Sequence, residues 1–123
     1  MDITIKSAKL NGNVRVCSSK SEAHRLIICS MLARNKTKII CNDISVDILA
    51  TIDCIKALGA EVFITDEYIS IDSSKGIRND AILNCKESGS TLRFFIPVIC
   101  ALGVGGTFTG EGRLPERTNK PLI

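Results

Sequence analysis

The sequence predicts an α/β fold in which one supersecondary unit is used twice. Segments of helical period alternate with short segments of period two, in the order helix, strand, helix, strand, strand, then strand, helix, strand. A shift of 68 positions lays Arg25 on Arg93, Leu26-Ile27-Ile28 on Phe94-Phe95-Ile96 and Asn42-Asp43 on Gly110-Glu111. Self-similarity at a fixed offset marks an internal repeat. With 45% apolar residues in 123, the chain has material for a real core.

Taken in order, Ile3 and Ile5, then Val14 and Val16, alternate with polar neighbours around Asn11-Gly12. Asn-Gly tolerates the positive φ of a tight primed turn, so a β-hairpin is expected at the start. A helix over 19–34 follows. Ser19-x-x-Glu22 has capping-box spacing, and Ala23, Leu26, Ile27, Ser30 and Met31 form its mostly apolar stripe. Residues 37–41 read as a short buried strand. A second helix, over 46–58, is capped by Ser45, carries Ile48, Ile52, Ile55 and Leu58 on one face, and stops at Gly59. Strands are expected over 61–65 and 68–72 and, after the polar loop 73–80, over 81–85. The third helix spans 90–102, with Pro97 removing one backbone bond, and a last strand spans 107–109. The second copy then breaks off after Leu122-Ile123, which reads as a fragment of a longer repeat.

Several function classes fit poorly. A net charge of +3 with one Tyr and four Phe is a weak footprint for nucleic acid. No apolar stretch is long enough to span a bilayer, and the first residues lack a signal-peptide core, so a soluble cytoplasmic protein is expected. The six cysteines never form C-x-x-C, and the lone His24 has no partner at ligand spacing. Neither metal nor cofactor is expected. The cysteines read as free thiols shielded in the core, with only Cys17 near a loop.

Three segments are left as places for chemistry. Ser18 to Arg25 puts Lys20 and Ser21 in the first turn of a helix, with Arg25 one turn on along the same face. Free amides, an ammonium, a hydroxyl and a guanidinium there suit a phosphate or carboxylate. An ordinary capped, solvated helix start accounts for the same residues. Glu87 to Arg93 occupies the matching place in the repeat, where Gly89 lets backbone amides come close to a ligand; a plain capped turn is the simpler reading. Gly110 to Arg117 is a glycine-bounded loop with two arginines after a strand, a common ligand position, though a solvated basic loop is the simpler reading.

In this order and spacing, SKSEAHR, ESGSTLRF and GEGRLPER resemble the 5-enolpyruvylshikimate-3-phosphate (EPSP) synthases, whose motifs are S-K-S-x-x-x-R, N-[AS]-G-T-x-x-R and G-x-x-R-x-x-x-R-P. The Leu-Gly-Ala ending of 47–60 matches as well. The resemblance implies repeated βαβαββ units of the enolpyruvyl transferase fold, an inside-out α/β barrel, here truncated. It implies transfer of the enolpyruvyl group of phosphoenolpyruvate to the 5-hydroxyl of shikimate 3-phosphate, with release of phosphate. It assigns Lys20 to both substrates, Ser21 and Arg25 to shikimate 3-phosphate, and Gly89 and Arg113 to phosphoenolpyruvate. No catalytic proton-transfer group is implied within the chain, so the fragment is expected to be inactive alone.

The sequence departs from those motifs at Glu87 for Asn, Ser90 for Thr and Thr118 for Pro. Glu87 brings a negative charge to an anion site, with Arg93 the nearest residue to neutralise it. By the same resemblance, residues 1–17 belong to the first domain and 18–123 form about one and a half units of the second. The full enzyme is expected to be monomeric, and the exposed sheet edges of the fragment to invite dimerisation. Two other readings stand beside this one. The first is the sister enolpyruvyl transferase acting on UDP-N-acetylglucosamine, disfavoured by the S-K-S motif. The second is a non-catalytic anion- or RNA-binding module.

Overall fold

Ser19, Ser45 and Ser88 start the three helices among the described residues, each accepting a hydrogen bond at its side-chain oxygen from the backbone N–H three positions on. That bond satisfies one of the amides a first helical turn leaves open. The computed structural model describes residues 2–118. Within them lie α1 (Lys20–Leu32), β1 (Lys36–Ile40), α2 (Val46–Ala57), β2 (Glu61–Ile64), β3 (Tyr68–Asp72), β4 (Ala81–Asn84), α3 (Gly89–Leu102) and β5 (Gly106–Thr109). Each helix and strand expected beyond residue 18 is present, within two residues at either end.

β3 is the centre of a three-stranded antiparallel sheet, with β1 on one side and β2 on the other. Its Ile69 faces Ile39 of β1 and Ile64 of β2, and its Ile71 faces Thr37 and Val62. Both isoleucines are fully buried. The core continues into Ile27 and Met31 of α1 and Ile48, Ile52 and Ile55 of α2. Each such side chain contributes roughly 1.5–3 kcal/mol on leaving water. Leu26, placed in the α1 stripe by sequence, is instead largely exposed.

β4 and β5 form a separate parallel pair in which Leu83 faces Phe108. Parallel neighbours need a crossover, and α3 supplies it. Leu83 and Phe95 are fully buried and join the same core, because α2 packs on both β4 and α3. Pro97 lies inside α3, and Gly103 ends that helix at φ 65°. The repeat is therefore real as helix followed by strand: α1–β1 and α3–β5 recur in order. The copies differ in pairing, since β1 is bonded antiparallel to β3 and β5 parallel to β4. The end of the second copy at Leu122-Ile123 lies outside the described residues.

Two expectations need correction. Residues 2–19 contain no strand, and Ile3, Ile5, Leu10, Val14 and Val16 are all more than three-quarters exposed. Asn-Gly supplies a turn, but two strands with no third strand or helix against their apolar face are marginal in water. The six thiols are free, yet Cys29 and Cys100 are exposed along with Cys17, and only Cys41, Cys54 and Cys85 are buried. Cys29 and Cys100 sit within apolar runs of sequence but on the outer face of their helices. No helix among the described residues is long and apolar enough to cross a membrane.

Candidate anion site at the helix N-termini

The first turns of all three helices are tied together. Lys20, at the start of α1, forms an ion pair with Asp47 in the first turn of α2. Thr51 of α2 and Thr91 of α3 share a buried 2.8 Å hydrogen bond between their hydroxyls. Thr91 also donates to Oγ of Ser88, the α3 cap, at 2.7 Å. Both threonine hydroxyls stand 3.4 Å from the Asp47 carbonyl oxygen. His24 of α1 closes the set, with Nδ1 2.6 Å from Thr51 Oγ1. Amides at a helix start carry the positive end of the dipole, so gathering these turns concentrates that field.

The expected cations are arranged around this platform. Lys20, Ser21 and Arg25 are exposed on the first turns of α1. The Arg25 guanidinium lies 5.6 Å from the ring centroid of Phe94 on α3, a cation–π contact that leads it toward the α3 start. Lys20 shares its charge with Asp47. Among the described residues no ion pair engages Arg25, Arg93, Arg113 or Arg117.

The glycine-bounded loop after β5 folds back over the α3 start. Cys85 N–H donates to the Thr109 carbonyl at 2.9 Å, and Glu111 N–H donates to the Lys86 carbonyl at 2.8 Å. Leu114 is buried against Gly110, where a side chain would collide with it. A Cβ placed on Gly89 would stand 3.0 Å from Nη1 of Arg117. The loop thus brings Arg117, not Arg113, to Gly89, although both arginines are exposed. Glu87 does not pair with Arg93: its carboxylate packs on Gly112, whose φ of 54° only glycine takes without cost.

Sequence reasoning singled out Lys20, Ser21, Arg25 and Gly89 and missed five contributors. Arg117 was visible as the second arginine of its loop, but nothing in the spacing says which guanidinium turns inward. Thr51, Thr91 and Asp47 carry no local signal, because a hydroxyl or carboxylate at a helical position reads as solvated until a neighbouring helix covers it. His24 is 1% exposed, and burial, then Lys20, holds its pKa below the ordinary 6.5. Among the described residues no group of three or more His, Cys, Asp or Glu is placed to hold a metal. A separate groove of about 390 Å³, lined by Leu92, Ile96, Phe108, Leu114 and Pro115, is apolar and carries none of these cations.

Comparison with known proteins identifies the family. The family profile described as EPSP synthase (3-phosphoshikimate 1-carboxyvinyltransferase) matches residues 5–123. A 3-phosphoshikimate 1-carboxyvinyltransferase of Clostridium beijerinckii is 36% identical over 124 residues, covering 94% of this chain and 28% of the relative. One from Clostridium kluyveri is 40% identical over 116 residues, covering 94% and 27%. The chain thus spans little more than a quarter of the curated relatives it matches. Among solved structures, an EPSP synthase of Acinetobacter baumannii superposes with a TM-score of 0.72 at 22% identity, over 90% of this chain and 27% of that one. That likeness establishes the α/β fold of the family. With the profile covering nearly the whole sequence, the chain belongs to the EPSP synthase family.

Proposed function

We propose that this chain forms one wall of the substrate site of a 3-phosphoshikimate 1-carboxyvinyltransferase, in the cytoplasm, and cannot complete the reaction alone. Lys20, Ser21 and Arg25 hold shikimate 3-phosphate. Lys20 and the Gly89 amide hold phosphoenolpyruvate, with guanidinium from the 110–117 loop: Arg117 stands at Gly89 and Arg113 extends the cationic rim. In the reaction the 5-hydroxyl oxygen bonds to C2 of phosphoenolpyruvate while its methylene gains a proton. The C2–O bond to phosphate then breaks and the methyl returns a proton. Both substrates are polyanions, so fixed cations and helix starts are what such a site requires.

The observation that carries this reading is the convergence of the α1 and α3 starts with guanidinium groups that form no ion pair among the described residues. Open to water, three or four charge-assisted contacts are worth a few kcal/mol, or roughly millimolar binding. Titrating this chain with shikimate 3-phosphate is expected to shift the amides of residues 19–22, and Arg25→Ala to abolish the shifts. Arg34→Ala, at the far end of α1, is expected to leave them intact. Equal loss in the two variants would reduce the site to nonspecific charge, and enolpyruvyl transfer by this chain alone would refute its incompleteness.

A further inference from the structure

His24 is the one buried titratable group that touches the anion platform, and the substrate contacts above do not use it. Its ring is fully covered, set edge-on to Phe94 with centroids 6.3 Å apart and planes at 60°. Nδ1 is 2.6 Å from Thr51 Oγ1, whereas Nε2 has no hydrogen-bond partner among the described residues. A buried imidazole with one partner is neutral, and its tautomer is set by that partner.

The hydroxyl chain decides the tautomer. Each hydroxyl has a single proton to give. Thr91 gives its proton to Ser88 Oγ at 2.7 Å in preference to the Asp47 carbonyl at 3.4 Å. Thr51 lies closer to His24 Nδ1, at 2.6 Å, than to Thr91, at 2.8 Å, so length alone does not direct its proton. With the Thr91 proton committed to Ser88, the contact between the two threonines is a hydrogen bond only if Thr51 donates. Thr51 Oγ1 is left as an acceptor toward His24, so the ring proton is on Nδ1 and the bare lone pair on Nε2. The relay runs one way, from α1 through α2 to the cap of α3, where Ser88 Oγ also receives the Thr91 N–H at 3.2 Å.

We infer that His24 is a positioning residue: as an Nδ1–H imidazole it heads a hydrogen-bond relay through Thr51 and Thr91 to Ser88 that fixes the α1 and α3 helix starts in register for one anion. The inference rests on the anion-site reading of Proposed function. It explains why the donor is on α1 beside Arg25. The same buried ring that fixes the relay also packs on Phe94, the ring over which Arg25 lies. Removing the donor loosens the Gly89 amide and the Arg25 fork relative to each other without deleting either. Buried, fully directed polar networks of this kind specify geometry more than they add stability.

The test is inorganic phosphate titration of this chain by NMR, with the His24 ring nitrogens recorded first in the absence of phosphate. The ring spectrum is expected to show a neutral tautomer protonated at Nδ1; a proton on Nε2 would overturn the relay whatever phosphate does. In the unmodified chain, the amides of Lys20 and Gly89, which the reading above gives to one anion, are expected to titrate with one shared Kd. His24→Phe, which fills the space without a donor, is expected to weaken binding by about tenfold and to split the two amides into separate Kd values. His24→Asn, which keeps a short N–H donor, is expected to restore a single Kd near the original. Thr51→Val breaks the middle link and is expected to split the amides as His24→Phe does, so it serves if the latter fails to fold. A shared, unchanged Kd in these two variants would overturn the inference, as would Asn performing no better than Phe. No response of either amide in the unmodified chain would instead sink the anion-site reading itself, while the tautomer result would still stand.

Discussion

Thr51 and Thr91, 40 positions apart in sequence, meet hydroxyl to hydroxyl at 2.8 Å where α2 crosses the start of α3. Neither reaches water, and each has one further close partner, His24 Nδ1 at 2.6 Å from Thr51 and Ser88 Oγ at 2.7 Å from Thr91. Thr51→Val removes the acceptor of the His24 N–H, Thr91→Val strands the Thr51 hydroxyl, and each alone is expected to cost about 1–3 kcal/mol. The double valine variant strands none between them and should cost less than the two singles added. Urea unfolding of the three variants checks this; strict additivity would mean the contact is incidental.

His24 should leave a pH signature in stability. An unfolded chain binds the imidazole proton near the ordinary 6.5, and the folded chain binds it only at lower pH because burial and Lys20 oppose the charge. Between those values the unfolded state carries more protons, so stability falls as pH falls. The contribution is complete above 6.5, declines below it, and levels off under the folded value. His24 is the only histidine in the chain, so the urea midpoint should drop more steeply between about pH 6.5 and pH 5 in the unmodified protein than in His24→Phe. Parallel profiles would assign the slope to carboxylates.

Gly89 separates function from stability. Its backbone is one that other residues adopt, and alanine is the better helix former by about 1 kcal/mol. Gly89→Ala is therefore expected to melt at the same temperature or higher. The added methyl would crowd Nη1 of Arg117 at 3.0 Å and push that guanidinium off the α3 start. Phosphate affinity should fall by about threefold to tenfold. Calorimetry and titration on one sample decide it, and unchanged affinity would remove Arg117 from the site.

Much of this was legible because it is local. Serine caps with amides three residues on, apolar stripes at 3.6 spacing and the glycine at 59 are written within a single turn of chain. The hairpin failed for the same reason in reverse: Asn11-Gly12 specifies a turn, while pairing depends on what covers Ile3, Ile5, Val14 and Val16, which sequence does not reveal. The site divides likewise. Ser21 and Arg25 lie one turn apart on one helix face and Lys20 opens the same helix, so that much follows from period alone. The choice of Arg117 over Arg113 depends on Leu114 burying against Gly110, which turns the loop inward, and Thr51 meets Thr91 only because α2 packs between two other helices.

The thiols give a direct check on burial. Cys17, Cys29 and Cys100 are exposed and should react promptly with a thiol reagent in native buffer. Cys41, Cys54 and Cys85 should wait for denaturant. Cys54 should be slowest of all, because the hydrogen bond it shares with Cys85, and then burial, push its thiol pKa far upward and withhold the thiolate. Mass spectrometry of time points would resolve the order, and early labelling of Cys54 would show that α2 opens away from β4.

The parallel pairing of β4 with β5 also sets a clock. Antiparallel β2 and β3 join through a short turn and can zip early, but β5 finds β4 only after the whole of α3 has been laid across between them. Closures over longer stretches of chain come later and more slowly. Arg117 travels on the loop beyond β5, so the guanidinium reaches Gly89 only after that closure. During refolding, helical signal should therefore be regained before full affinity for phosphate. Binding competence is a timestamp for β5 docking, and a mutation that slows that docking will delay the site without altering its finished shape.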